Sequence, residues 1–109
     1  MDTYEDRILN ALGDPTRRAV LKRLLDGGRS VAEITEGMAV SRPAVSQHLK
    51  ILMAARLVTV HSEGTRRVYA VDARGLQSVR KWLDQFWEET LLAFKDAAEL
   101  EAFRKRRGE

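Results

Sequence analysis

From Asp72 to Arg106 the sequence contains no proline and one glycine, Gly75, and its apolar residues return at helical spacing. On a helical wheel Leu76, Val79, Trp82, Leu83, Phe86, Trp87, Thr90, Ala93, Phe94, Ala97 and Leu100 share one broad face. Gln77, Lys81, Asp84, Gln85, Glu88, Lys95 and Glu99 take the other. Asp72 stands at the N-cap position, and Gly75 in the first turn blurs the start. A helix of about 30 residues is about 45 Å long. A compact chain of this size has a radius of gyration of only about 13 Å, so one copy cannot cover such a stripe. A second copy of the chain is the expected cover. A different partner or a folding back of the C-terminal part are the alternatives.

The length, 109 residues, is that of a single domain with an adequate but not generous core. With 44% hydrophobic and 32% charged residues the composition is that of a soluble globular chain. The start, MDTYEDRILNAL, is acidic where a secretory signal needs basic residues and an apolar run, and no stretch approaches membrane-spanning length. A cytoplasmic protein with no membrane association is expected. The absence of cysteine removes disulfides, thiolate metal sites and thiol chemistry. With only two histidines besides, no metal site and no cofactor are expected.

The net charge is +3, but its distribution is uneven. Arg17, Arg18, Lys22, Arg23 and Arg29 oppose Asp26 alone, and Arg42, Lys50, Arg56, Arg66 and Arg67 oppose Glu63 alone. The acids collect at the N-terminus and between Asp84 and Glu101. A basic middle between acidic ends suits a polyanion-binding face.

Several short helices precede the long one. Asp2 or Thr3 caps a first helix carrying Ile8, Ala11 and Leu12, which Gly13 ends. Asp14-Pro15 starts a second, with Ala19, Val20, Leu21 and Leu24 inward and Gly27-Gly28 as its stop. Ser30 caps VAEITEGM, with Glu33 as capping-box partner and Val31, Ile34 and Met38 apolar. After a turn around Gly37 to Val40, Ser41 caps a fourth helix in which Val45, Leu49 and Leu52 face the core. Two short helices so joined have the spacing of a helix-turn-helix. The exposed side of the second presents Arg42, Pro43, Ser46, Gln47 and Lys50, side-chain types that read base edges in a major groove. His48, on the flank of the core stripe, is expected to be a hydrogen-bonded structural histidine.

The period then changes to alternating and β-branched. Leu57 to Val60 and Arg67 to Val71 are expected as strands, with HSEGTR as the turn and Gly64 at its bend. Thr65, Arg66 and Arg67 on the rim of this wing suit phosphate or minor-groove contacts. His61 is expected to be solvated or near phosphate, and Tyr69 to lie in the core with its hydroxyl at the edge.

Three segments, ALGDPTRRAVLKRLL (Ala11 to Leu25), VAEITEGMAVSRPAVSQHLKIL (Val31 to Leu52) and ARLVTVHSEGTRRVYAV (Ala55 to Val71), resemble the ArsR-type winged helix-turn-helix family of bacterial transcriptional repressors. The resemblance implies a mainly α fold with a small β-hairpin. Residues 15–71 would be the DNA-binding core and wing, and 1–12 and 73–106 dimerisation helices, within one domain spanning 1–109. It implies a homodimeric repressor, possible autoregulation included, on an inverted-repeat operator in double-stranded DNA. The helix matching Arg42 to Met53 would lie in the major groove. The dimer interface would include Ile8, Leu76, Val79, Trp82, Leu83, Phe86, Trp87 and Phe94. The metal-sensing branch places cysteines at the positions of Ser30 and Ala32, or histidines along the last helix, and this sequence has neither. It resembles the branch without evident metal ligands, whose inducers are not readable from sequence. Winged-helix domains also serve as protein-interaction modules, against which the arginine-framed polar face argues. An enzyme is not expected, because neither histidine has a paired nucleophile and no glycine-rich phosphate loop follows a strand.

Overall fold

The computed structural model describes residues 3–108. Its elements are α1 (Tyr4–Leu12), α2 (Pro15–Lys22), α3 (Val31–Thr35), α4 (Arg42–Ala54), β1 (Val58–Glu63), β2 (Arg66–Val71) and α5 (Ala73–Arg106). Contacts divide the chain into two compact units, Met1–Val79 and Arg80–Glu109. The first contains the core; among its described residues the second has no buried side chain.

Polar caps set most of the helix starts. Thr3 and Ser30 each close a capping box, with Asp6 and Glu33 respectively. Asp2, the alternative first cap, lies outside the described residues. Asp14 Oδ1 accepts from the Thr16 and Arg17 amides at 2.8 and 3.1 Å, and Ser41 Oγ accepts from the Ala44 amide at 3.3 Å. Asp72 Oδ1 accepts from the Arg74 amide at 3.0 Å at the start of α5. The Arg74 guanidinium also binds both Asp72 oxygens, and these bonds hold the Asp72 carboxyl below its usual pKa.

Ile8 and Ala11 of α1, Val20, Leu21 and Leu24 from α2 and the turn after it, Ile34 of α3, and Val45, Leu49 and Leu52 of α4 converge on one core with Leu57, Val58 and Tyr69. Leu76 and Val79 of α5 pack against it half-buried. Ile8, expected at a subunit interface, is 2% exposed within the protomer. Its position on α1 is one helical turn from Ala11 and Leu12, so that face is already spent on the core, and Leu9 at 39% is the exposed apolar residue of α1.

Two helix ends differ from expectation. Helix α2 gives way at Lys22 to i→i−3 turns that reach Gly27, so Leu24 stays in the core although it lies outside the α-helix. Helix α3 stops at Thr35 rather than Met38, because Gly37 turns the chain with φ +77°.

The wing turn is also shorter than HSEGTR. Pairing runs from Val58↔Val71 to Glu63↔Arg66, leaving only Gly64 and Thr65 as the loop. Gly64 has φ +65° and Thr65 has negative φ, the sign pattern of a type II′ turn, whose twist matches that of the two strands. The polar residues His61, Ser62 and Glu63 carry no apolar alternation, but the ladder satisfies their backbone, and their side chains stay in solvent. A further bridge ties this hairpin to the α2–α3 connection, with the Arg29 amide donating to the Tyr69 carbonyl at 2.9 Å and the Tyr69 amide donating back at 2.8 Å.

Candidate nucleic-acid interface

Helix α4 is pinned from behind by three side chains with no exposure, Val45, Leu49 and Leu52. Arg42, Pro43, Gln47 and Lys50 are consequently exposed together on its other side, with Ser46 half-buried beside them. Ile51, 36% exposed, was not singled out from the sequence, although helical spacing places it on the side of Gln47 rather than with Val45, Leu49 and Leu52. It lies one turn after Gln47 and adds an apolar contact to the same surface. In the wing, Thr65, Arg66 and Arg67 are all exposed.

The two basic clusters have different fates. In the first, Arg18 donates to the Leu12 carbonyl at 2.6 Å, Arg23 to the Glu36 carbonyl at 2.8 Å, and Arg29 to the Arg23 carbonyl at 2.8 Å. Arg17 is mostly buried and pairs with Asp14 at 3.8 Å. These arginines close helix ends and the turn before α4, while Arg18 and Lys22 stay exposed, so the basic face expected from Thr16 to Arg29 is only partly taken up by internal contacts. In the second cluster Arg42, Lys50 and Arg67 have no carboxylate partner among the described residues, and Arg67 lies 6.0 Å over the Tyr69 ring. Arg42, Lys50 and Arg67 thus bring unpaired positive charge to α4 and the wing.

Arg66 is different again: it forms an ion pair with Glu33 of α3, and Glu63 lies 3.9 Å away. The wing is latched to the helix-turn-helix through a carboxylate that also caps α3, since Glu33 Oε1 accepts from the Ser30 amide at 3.0 Å. Nothing in the sequence spacing of Glu33 and Arg66 signals this pairing.

His48 departs from its expected role. Its Nδ1 is buried without a hydrogen-bond partner among the described residues, as is Arg17 Nε. Packing of α4 against α2 excludes solvent here without bringing up an acceptor or donor. The Asp14 carboxyl is held below its usual pKa chiefly by the Arg17 amide, with smaller contributions from the Thr16 amide and the Arg17 and His48 charges. His61 is exposed and 3.1 Å from Glu63. Tyr69 is 7% exposed, in the core as expected.

On α5, Trp82 is half-buried, and Leu83, Phe86, Trp87 and Phe94 are exposed by 49%, 55%, 61% and 71%. Trp82 and Phe86 stack with centroids 5.4 Å apart. Leu91, Leu92 and Phe103, outside the face drawn from the wheel, are exposed by 49%, 61% and 50%. The run TLLAF signals Leu91 and Leu92, because four consecutive apolar residues exceed any single helical stripe.

The sequence pattern of bacterial regulatory proteins of the arsR family matches residues 14–60, from the α2 cap into β1. The HTH-type transcriptional regulator Rv2034 of Mycobacterium tuberculosis is 50% identical over 96 residues, covering 86% of this chain and 90% of that protein. The chain belongs to the ArsR family. The transcriptional repressor SdpR of Bacillus subtilis is 32% identical, with 74% of this chain and 90% of that protein aligned. The homodimeric winged helix-turn-helix DNA-binding domain of Mb0332 from Mycobacterium bovis superposes with a TM-score of 0.61 at 26% identity, covering 78% of this chain and 79% of that one. The fold of this ArsR-family chain is the winged helix-turn-helix, mostly helical with one antiparallel hairpin. Its family and relatives are transcriptional regulators, not enzymes. Among the described residues no helix is long and apolar enough to cross a membrane, and no three His, Cys, Asp or Glu side chains gather into a metal-holding group.

Proposed function

We propose that this chain is a homodimeric repressor of an inverted-repeat operator, reading bases with Arg42, Pro43, Ser46, Gln47 and Lys50 and gripping the backbone with Thr65, Arg66 and Arg67. The observation that carries this reading is the joint exposure of the α4 polar face with Arg42, Lys50 and Arg67 left uncompensated. A helix so presented offers bidentate and cationic donors to base edges and phosphates at once. SdpR is a repressor and Mb0332 a homodimer, which supports both parts of the reading. The apolar α5 surface supports the second independently. The natural operator is to be found by footprinting the DNA upstream of the coding region, where an inverted repeat is expected under the protein.

Replacing Gln47 or Arg42 with alanine is expected to cost about 1–3 kcal/mol on the operator and far less on random DNA. Competition binding at fixed salt measures both. Equal losses on the two sequences would place the reading face elsewhere.

The wing residues act on every sequence alike. Arg67→Ala is expected to lower the slope of log K against log salt by about one unit. Arg66→Ala is expected to lower it less, since Glu33 already offsets that charge in the free protein and must be exchanged for a phosphate. Slopes unchanged in both variants would remove the wing from the interface.

A further inference from the structure

Behind the reading surface, where α1, the α4–β1 connection and the start of α5 meet, Tyr4, Arg56, Arg74 and Ser78 line a pocket of about 390 Å³. All four belong to the unit Met1–Val79. We propose that this pocket binds a small organic oxyanion, a carboxylate or phosphate, held by the Arg56 guanidinium with Arg74, and that its occupation adjusts DNA binding. The second half of this proposal rests on the DNA-binding reading above; the first does not.

The backbone of Arg56 makes the first half specific. Arg56 follows the last turn of α4 with φ +58°, the one left-handed non-glycine among the described residues. The Leu57 amide donates to the Leu52 carbonyl at 2.9 Å and the Arg56 amide to the Met53 carbonyl at 2.9 Å, the two bonds of a Schellman motif. Its left-handed position favours glycine, because a Cβ there crowds the carbonyl. An arginine in this place weakens the helix end, and strain of this kind collects where a side chain serves a site.

The side chain is also unspent. The Arg56 guanidinium lies 5.8 Å over the Tyr4 ring and has no hydrogen-bond or ion-pair partner among the described residues. Stacking on an aromatic face leaves its in-plane N–H groups free for a bidentate oxyanion. Arg74 uses Nε and one terminal nitrogen on Asp72, at 3.2 and 3.1 Å, so its other terminal nitrogen can donate. With Asp72 offsetting one guanidinium, the group keeps one positive charge, which suits one anionic head. Ser78 Oγ donates to the Arg74 carbonyl at 3.2 Å and retains acceptor capacity for a ligand hydroxyl. The volume falls at the small end of ligand pockets, fitting a metabolite rather than a polymer.

The route to DNA is short, because Arg56 lies between the end of α4 at Ala54 and the start of β1 at Val58. A ligand that fixes the guanidinium stacked on Tyr4 acts on the residue joining the reading helix to the wing.

The test uses the full chain with inorganic phosphate and, separately, benzoate as probes, at ionic strength matched with chloride. At least one probe is expected to raise the thermal midpoint saturably, by about 5 °C at ten times half-saturation; which one does so distinguishes phosphate from carboxylate. Arg56→Gly is expected to raise the midpoint of the unliganded protein by about 5 °C through relief of the left-handed strain, yet to lose the probe effect entirely. Arg56→Lys, which keeps the charge but not the fork, is expected to bind at least about tenfold more weakly. Absence of a saturable effect with both probes overturns the site, as does an Arg56→Gly variant that keeps the full effect. Arg56→Gly losing self-association while the parent binds neither probe would assign Arg56 to the subunit contact instead. Operator affinity with and without the effective probe tests the second half: a change in the parent that is missing in Arg56→Gly supports it, and saturable binding that leaves operator affinity unmoved overturns it.

Discussion

Gly75→Ala is expected to destabilise the fold by about 3 kcal/mol or more, the upper end of overpacking costs, and so to lower the thermal midpoint by about 12 °C or more. A Cβ built on Gly75 would stand 2.0 Å from the Arg56 carbonyl oxygen, 2.7 Å from its carbon and 3.2 Å from Leu57 Cα. These neighbours are backbone and cannot rotate away. Leu57 is itself fully buried, and the Arg56 carbonyl belongs to a helix end fixed by its two capping bonds, so neither side can yield cheaply. Alanine ordinarily strengthens a helix over glycine by about 1 kcal/mol. The sign of the effect therefore separates close packing from propensity. Circular-dichroism melting decides it, and a Gly75→Ala variant as stable as the parent would show that α5 does not approach the α4–β1 connection this closely.

That contact is not legible in the sequence. In the sequence Gly75 counts only as a weak residue in a first helical turn; its purpose is long-range, set by a backbone that lies nearly twenty positions earlier. The caps, by contrast, are local chemistry. Thr3, Asp14, Ser30 and Ser41 each bond amides two or three residues on, so spacing alone foretells them. The inward stripe of α4 was legible for the same reason, since Val45, Leu49 and Leu52 recur at one helical period. Helix ends were less so. The i→i−3 turns after Lys22 keep Leu24 in register with the core, and a periodic pattern cannot distinguish them from continued α-helix.

The site divides along the same line. Exposure of Arg42, Gln47 and Lys50 follows from burial of the opposite face. The fate of the other arginines does not, because it depends on which carbonyl or carboxylate the fold delivers: Glu36 to Arg23, Glu33 to Arg66. Arg56 shows the point most plainly. Counted as charge it belongs with the DNA-facing cluster, but its left-handed backbone and the Tyr4 ring assign its side chain to another surface.

Phe86→Glu is expected to dissociate the proposed dimer at micromolar concentration and to lower operator affinity by about a hundredfold or more. On a lone protomer the change would matter little: Phe86 is 55% exposed, and exposed substitutions rarely move stability by more than about 0.5 kcal/mol. A large effect must therefore come from a surface that covers Phe86. Trp82 stacks on it, and Leu83, Trp87 and Phe94 extend the exposed apolar surface along α5, each group worth about 1.5–3 kcal/mol when buried, so that an unpaired carboxylate placed there under a partner loses its hydration without compensation. Losing the second copy forfeits the second half-site and the high effective concentration that links two recognition helices about 34–36 Å apart, an advantage of about a hundredfold to ten-thousandfold. Gln85→Glu, one residue away on the polar face, is the control and should leave both properties intact. Sedimentation velocity and operator titration on the parent and both variants give the answer. A parent protein that is monomeric at micromolar concentration and still binds the palindrome tightly would sink the dimer, and a Phe86→Glu protein that stays dimeric would move the interface off this face of α5.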